Sequence, residues 1–78
     1  MQIPKLHNPK HNFARVDVDG REFYFSYQTL IAVRGPGETL ITRNEWGPTT
    51  GKHLNAIDPD KRKRVPYAEF QKRVEALR

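Results

Sequence analysis

From Phe13 onward apolar and polar residues alternate, with Ala14, Val16 and Val18 interleaved by Arg15, Asp17 and Asp19. A period of two marks a half-buried strand, because successive side chains point to opposite faces. Asp19-Gly20 follows, a pair suited to a two-residue hairpin turn whose central positions both need positive φ. The return strand is predicted over Glu22 to Tyr27, with Phe23, Phe25 and Tyr27 on one face and Tyr24 and Ser26 on the other. Leu30 to Arg34 is a short apolar run, expected as a third strand buried on both faces or near the sheet centre. Gly35-Pro36-Gly37 turns the chain, and Thr39 to Arg43 returns as a fourth, antiparallel strand.

A meander of this kind needs a cover for its apolar face. The later part of the chain supplies it. Thr49 or Thr50 can cap a short helix that runs to about Ile57, with Leu54 and Ile57 on one side, and Asp58-Pro59-Asp60 stops it. A second helix is predicted from about Pro66, a residue suited to the first helical position. Tyr67, Phe70, Val74 and Leu77 recur at spacings of 3, 4 and 3 and form an apolar stripe. Glu69 in the first turn favours the positive end of the helix dipole and can pair with Arg73 one turn later.

The predicted fold class is therefore α+β: a small antiparallel four-stranded meander covered by a short helix and a C-terminal amphipathic helix. Residues 1–12, broken by Pro4 and Pro9, are expected to be a flexible arm, leaving 13–78 as a single domain. At 78 residues the core must be thin, and a deep enzyme pocket is not expected. Cysteine is absent, which excludes disulfides and thiolate metal sites. No apolar run approaches the roughly 18–20 residues that span a bilayer. The N-terminus has no apolar signal-peptide core. A soluble cytoplasmic protein with no membrane association is the expectation.

Net charge is +5, and it is unevenly placed. Gly51 to Arg78 holds eight Lys or Arg against four Asp or Glu, whereas Met1 to Thr50 holds six against five. A positive field of this kind raises the encounter rate with polyanions or with an acidic protein face. Two segments concentrate the candidate chemistry. In the first, Thr49, Thr50, Gly51, Lys52 and His53 stand at an expected helix start, where free N–H groups, hydroxyls and an ammonium suit an anion. The same threonines can equally be plain caps. The spacing from Gly47 to Gly51-Lys52 is one residue short of a nucleotide-binding P-loop and His53 replaces its hydroxyl residue, so NTP hydrolysis is rejected.

The second segment, Lys61, Arg62, Lys63 and Arg64, can track a phosphate backbone or be a solvated loop. Tyr24 and Ser26 on the outer sheet face are placed to stack a base. Trp46 is expected to plug the core, since a small domain spares few large side chains; exposed, it would anchor a protein partner. His53 reads as a half-buried, hydrogen-bonded histidine, with Asp58 as a possible partner and no further catalytic group evident. His7 and His11 are four apart, but Pro9 lies between them and no third ligand follows, so no metal and no cofactor are expected.

Phe25-Ser26-Tyr27-x-Thr29-x-Ile31-Ala32, then Thr42-Arg43-Asn44-x-Trp46, then Thr49-Thr50-Gly51-Lys52-His53-Leu54-Asn55 resembles short phage and prophage proteins. These carry an FSY-x-T-x-IA strand pair and a TT-x-KH-(L/I)-N segment. The likeness covers roughly residues 16–57 and implies a phage setting, hence a host cytoplasm, without implying a reaction. Many of those proteins have Tyr where Trp46-Gly47 stands here. The expected function is that of a non-enzymatic accessory protein that binds DNA or RNA through the Thr49–His53 segment and the Lys61–Arg64 run. The alternative is a phage protein that binds and modulates an acidic host protein, with Trp46 or Tyr24 as anchor; a hydrolase using His53 stands third.

Overall fold

Asp19 and Gly20 adopt φ of 52° and 78°, the two positive angles that the hairpin signal demands. They join β1 (Phe13–Val18) to β2 (Arg21–Ser26) in a computed structural model that describes residues 3, 4 and 12–77. Phe13 pairs with Ser26 at one end of this hairpin and Val18 with Arg21 at the other. The predicted arm lies outside the described residues except for Ile3, Pro4 and Asn12, of which Ile3 packs against the core.

The second turn departs from expectation. Alternation places Tyr27 on the core face beyond Phe25, but β2 ends at Ser26 and Tyr27, at φ 56°, begins a tight turn into β3 (Thr29–Gly35). A left-handed residue reverses the chain, so the period-two pattern stops there. Register then shifts between the Tyr24–Ala32 and Phe25–Leu30 pairs, a β-bulge that inserts Ile31. Gly37, at φ 72°, helps turn β3 into β4 (Glu38–Thr42). The four strands form the expected antiparallel meander.

Beyond it come α1 (Pro48–Ile57), a 3-10 turn (Lys61–Lys63), β5 (Arg64–Val65) and α2 (Tyr67–Glu75). β5 is a fifth strand, paired parallel to β4 through Ile41–Arg64 and Thr42–Val65. Its first residue, Arg64, ends the basic run, for which a solvated loop is one of the two expected readings. A parallel pair needs a crossover between its strands, and α1 with the 3-10 turn provides it.

The two helices cover opposite faces of the sheet. Phe23, Phe25, Val33 and Leu40 point to one side and pack with Phe70 and Val74 of α2. Ile31, Ala32 and Ile41 point to the other and pack with Leu54 and Ile57 of α1, joined by Phe13 and Tyr24. The α2 stripe is as predicted, with Tyr67 and Leu77 at its margins, and Arg73 meets Glu69 at 3.0 Å on the outer side. Helix α2 starts at Tyr67, one residue later than predicted, with Pro66 as N-cap. Its first N–H is satisfied from far along the chain, by the Glu45 carboxylate at 2.7 Å.

Phe70 is 1% exposed and is the main α2 contribution to its core. Phe70→Ala is expected to lower unfolding free energy by about 3–5 kcal/mol, whereas Arg73→Ala, which loses an exposed pair, should cost less than about 0.5 kcal/mol. Urea unfolding followed by circular dichroism measures both.

Candidate functional site

Helix α1 begins at Pro48, with Gly47 as N-cap and no side-chain cap. The expectation that Thr49 or Thr50 caps it is therefore corrected: both lie inside the first turn. Pro48 carries no N–H, and the Gly51 N–H already bonds the Gly47 carbonyl at 3.0 Å, so fewer donors remain free than the sequence suggests. Gly51 is small for a local reason. A Cβ there would lie 2.9 Å from the Asn44 amide nitrogen, which itself donates to the Gly47 carbonyl at 2.9 Å.

Thr50 and His53 face inward. Thr50 Oγ1 lies 2.9 Å from Ser26 Oγ, and Ser26 Oγ lies 2.9 Å from His53 Nδ1. The His53 ring also stacks on Phe13 at 4.6 Å between centroids. Ser26, expected on an outer face, is thus buried beneath α1, because the sheet has a cover on both sides. The hydroxyls and the imidazole satisfy one another across the strand–helix interface, as buried polar groups must. The two segments that carry the sequence resemblance meet at this point.

Asp58, the sequence's partner for His53, is engaged elsewhere. It accepts from the Asp60 N–H at 2.9 Å and from Lys63 Nζ at 2.9 Å, and these bonds hold its carboxyl below the usual range. Among the described residues His53 has a hydroxyl neighbour but no carboxylate to orient it, and its base-like geometry stops at that dyad.

The basic run divides into two parts. Arg62 makes two bonds to the Asp60 carboxylate, at 3.0 and 3.2 Å, and this pairing depresses the Asp60 pKa. Lys63 is held by Asp58. Arg64 instead reaches neutral acceptors, Asn55 Oδ1 at 2.8 Å and the Asp58 carbonyl at 3.3 Å. Its Nε is buried without a hydrogen-bond partner among the described residues. Lys61 has no carboxylate partner among them.

This division leaves a specific cluster of charge. Arg43, Asn44, Gly51, Asn55, Lys61 and Arg64 line a cleft of about 350 Å³. Three of the six are cations, two are amides and none is a carboxylate. β5 brings Arg64 beside β4, with the Arg43 N–H bonded to the Val65 carbonyl at 2.7 Å, and α1 contributes Gly51 and Asn55. Lys52 is exposed and lies about 60° around the helix from Asn55, on the same side of α1. Of the predicted residues, the cleft thus gathers Gly51, Lys61 and Arg64, and Lys52 does not line it. Thr50 and His53 are in the core, and Arg62 and Lys63 are in their own ion pairs. Sequence reasoning missed Arg43, Asn44 and Asn55, since only strand pairing places them here.

Tyr24 is not free to stack a ligand. Its hydroxyl donates to Glu22 at 2.8 Å, its ring packs on Phe13, and the Arg34 guanidinium lies 5.8 Å from the ring centre. Arg34 in turn donates to the Ile57 carbonyl at the end of α1. Tyr24 is a strut of the α1-side core. Trp46 is the opposite correction: expected in the core, it is 44% exposed. The Asn44 carboxamide accepts the Trp46 N–H at 3.1 Å, a local turn that throws the indole outward until it stands nearly perpendicular to the Tyr67 ring, with centroids 5.0 Å apart.

Among the described residues no group of three His, Cys, Asp or Glu could hold a metal; His7 and His11 lie outside them. No helix is long and apolar enough to cross a membrane. The chain belongs to the family of unknown function DUF8033, which matches residues 1–72. No curated protein and no solved structure matches it.

Burial lowers the His53 pKa from its ordinary value of 6.5, and its neighbours Ser26, Thr50 and Phe13 do not titrate near there. The unfolded chain therefore takes up the proton at higher pH than the folded one. Stability should be full above about pH 6.5 and fall as pH drops toward the lowered value. Urea midpoints between pH 8 and 5 test this, and His53→Gln should remove the dependence. Asp58 and Asp60 add losses only at pH below their ordinary value of 3.8.

Proposed function

We propose that this DUF8033 chain binds nucleic acid through its phosphates, at the cleft formed by Arg43, Lys61 and Arg64. What carries the reading is a sorting of charge. Arg15, Arg34, Arg62, Lys63 and Arg73 each have a carboxylate within 4.0 Å. Arg43, Lys52, Lys61 and Arg64 have none among the described residues, and Arg43, Lys61 and Arg64 gather around one cleft. Among the described residues Lys72, on α2, also lacks a carboxylate partner.

A folded protein gains little from exposed ion pairs, but it loses by crowding like charges without a counterion. A surface that holds three cations around one cleft therefore suits an anionic ligand. Phosphate oxygens fit the available donors: a guanidinium offers a fork and an ammonium a point charge, while the Asn44 and Asn55 amides supply neutral contacts. A net charge of +5 favours a polymer over a single small anion. In the phage setting implied by the sequence resemblance, the host cytoplasm would be the place of action.

Fluorescence anisotropy with a labelled oligonucleotide tests this. Binding should weaken with salt, with log K falling against log salt at a slope of roughly 2 to 3 for three or four phosphate contacts. Arg43→Ala with Lys61→Ala should reduce affinity by more than about tenfold and flatten that slope. Arg62→Ala, which removes an already paired charge, should change affinity by less than about threefold. No binding at low ionic strength would falsify the proposal.

A further inference from the structure

We infer, resting on the nucleic-acid reading above, that the strand is bound single-stranded, with one base unstacked into a second cleft between Trp46 and the Tyr27 turn. Among the described residues the large hydrophobics left exposed are Tyr27, at 52%, and Trp46, at 44%. Both line the same cleft, of about 300 Å³, with Ile31 and Pro48 also on its walls and Thr29 and Thr49 among its hydroxyls. Two exposed rings in one small domain are costly when they bury nothing. Here they flank a space large enough for a nucleobase.

The Trp46 ring and the Tyr27 backbone are held in place before any ligand arrives. Asn44 fixes the turn that presents Trp46, and the Tyr67 ring stands nearly perpendicular to the indole. Tyr27 sits at φ 56°, which a bulky aromatic residue seldom adopts, and its N–H bonds the Asn12 carbonyl at 2.8 Å. A base entering against this fixed indole loses little to the ordering of the ring, and the threonine hydroxyls can meet the polar edge of the base.

The charge beside this cleft selects the occupant. Arg43 and Asn44 line the cationic cleft, while Trp46 and Gly47 line the aromatic one, so one short segment forms a wall of each. From Asn44 to Trp46 the chain spans at most about 7 Å, which is within the reach of one nucleotide from phosphate to base. Stacking on aromatic rings beside a positive groove is how single strands are held without sequence preference. A duplex hides its base faces within the stack and could use only the cationic cleft.

Three ligands separate the possibilities: a single-stranded 12-mer, the duplex of the same sequence, and an abasic strand with the same backbone. Trp46 is the sole tryptophan, so its fluorescence reports on this cleft alone. The single strand should quench it and bind about tenfold tighter than the abasic strand, which should bind without quenching. Trp46→Ala should bring single-strand affinity down to the abasic level and leave abasic binding unchanged. Tyr27→Gly, whose backbone suits the turn without strain, should weaken single-strand binding in the same way. Equal affinity for base-bearing and abasic strands, or a Trp46→Ala loss shared by both, overturns this inference while the phosphate cleft stands. Absence of binding by all three at low salt removes both.

Discussion

Ala32 and Val33 form a buried run at the centre of the sheet, one packed on the α1 side and the other on the α2 side. Since neighbouring side chains on a strand point to opposite faces, this run can be buried only if both faces are dry. That constraint governs the rest of the molecule. One helix cannot cover both sides, so α1 and α2 must part, and the chain between them must pass around an edge of the sheet. It passes at the β4 edge, and in passing it pairs Arg64 and Val65 with Ile41 and Thr42. Arg64, the last residue of the basic run, is thereby half-buried and set against α1, while Lys61, Arg62 and Lys63 stay exposed.

The consequences for charge follow from that path. Asp58 and Asp60 precede the crossing and take up Lys63 and Arg62, whereas Lys61, nearer to both in sequence, has no carboxylate partner among the described residues. Arg64, committed to β5, faces the other way and meets Asn55 instead. A tetrad that looks uniform in sequence is thus split into a neutralised half and a half left positive. Arg43, at the end of β4, joins the positive half. The candidate ligand surface is the remainder after internal pairing.

The Ser26–Thr50–His53 network shows the same economy from the inside. Helix α1 has no side-chain cap and a proline in its first turn, so its attachment to the sheet rests on tertiary contacts. Leu54 and Ile57 bury one end of it, and the hydroxyl–imidazole bonds hold the other against β2. Residues that look reactive in sequence are therefore used to seat the helix. The seating leaves Trp46 and the Arg43–Gly47 segment projecting between the two clefts.

Local physics made much of this legible beforehand. Alternation in β1 and β2, the Asp19-Gly20 turn, the apolar run of β3 and the Phe70–Val74 stripe are each decided by residues close in sequence, and each is found in the structure. Tyr27 escaped because nothing local marks a bulky residue for positive φ, and β5 escaped because a two-residue strand has no period to detect. The site was legible only in part. Lys61 and Arg64 could be named as candidates, but their availability depends on which carboxylates lie near, and Arg43, Asn44 and Asn55 become site residues solely through β4–β5 pairing and the packing of α1. The amino-acid order by itself determined the elements and the excess of positive charge; tertiary structure decided where that charge is left uncompensated, because ion pairing depends on distances through space that sequence separation does not encode.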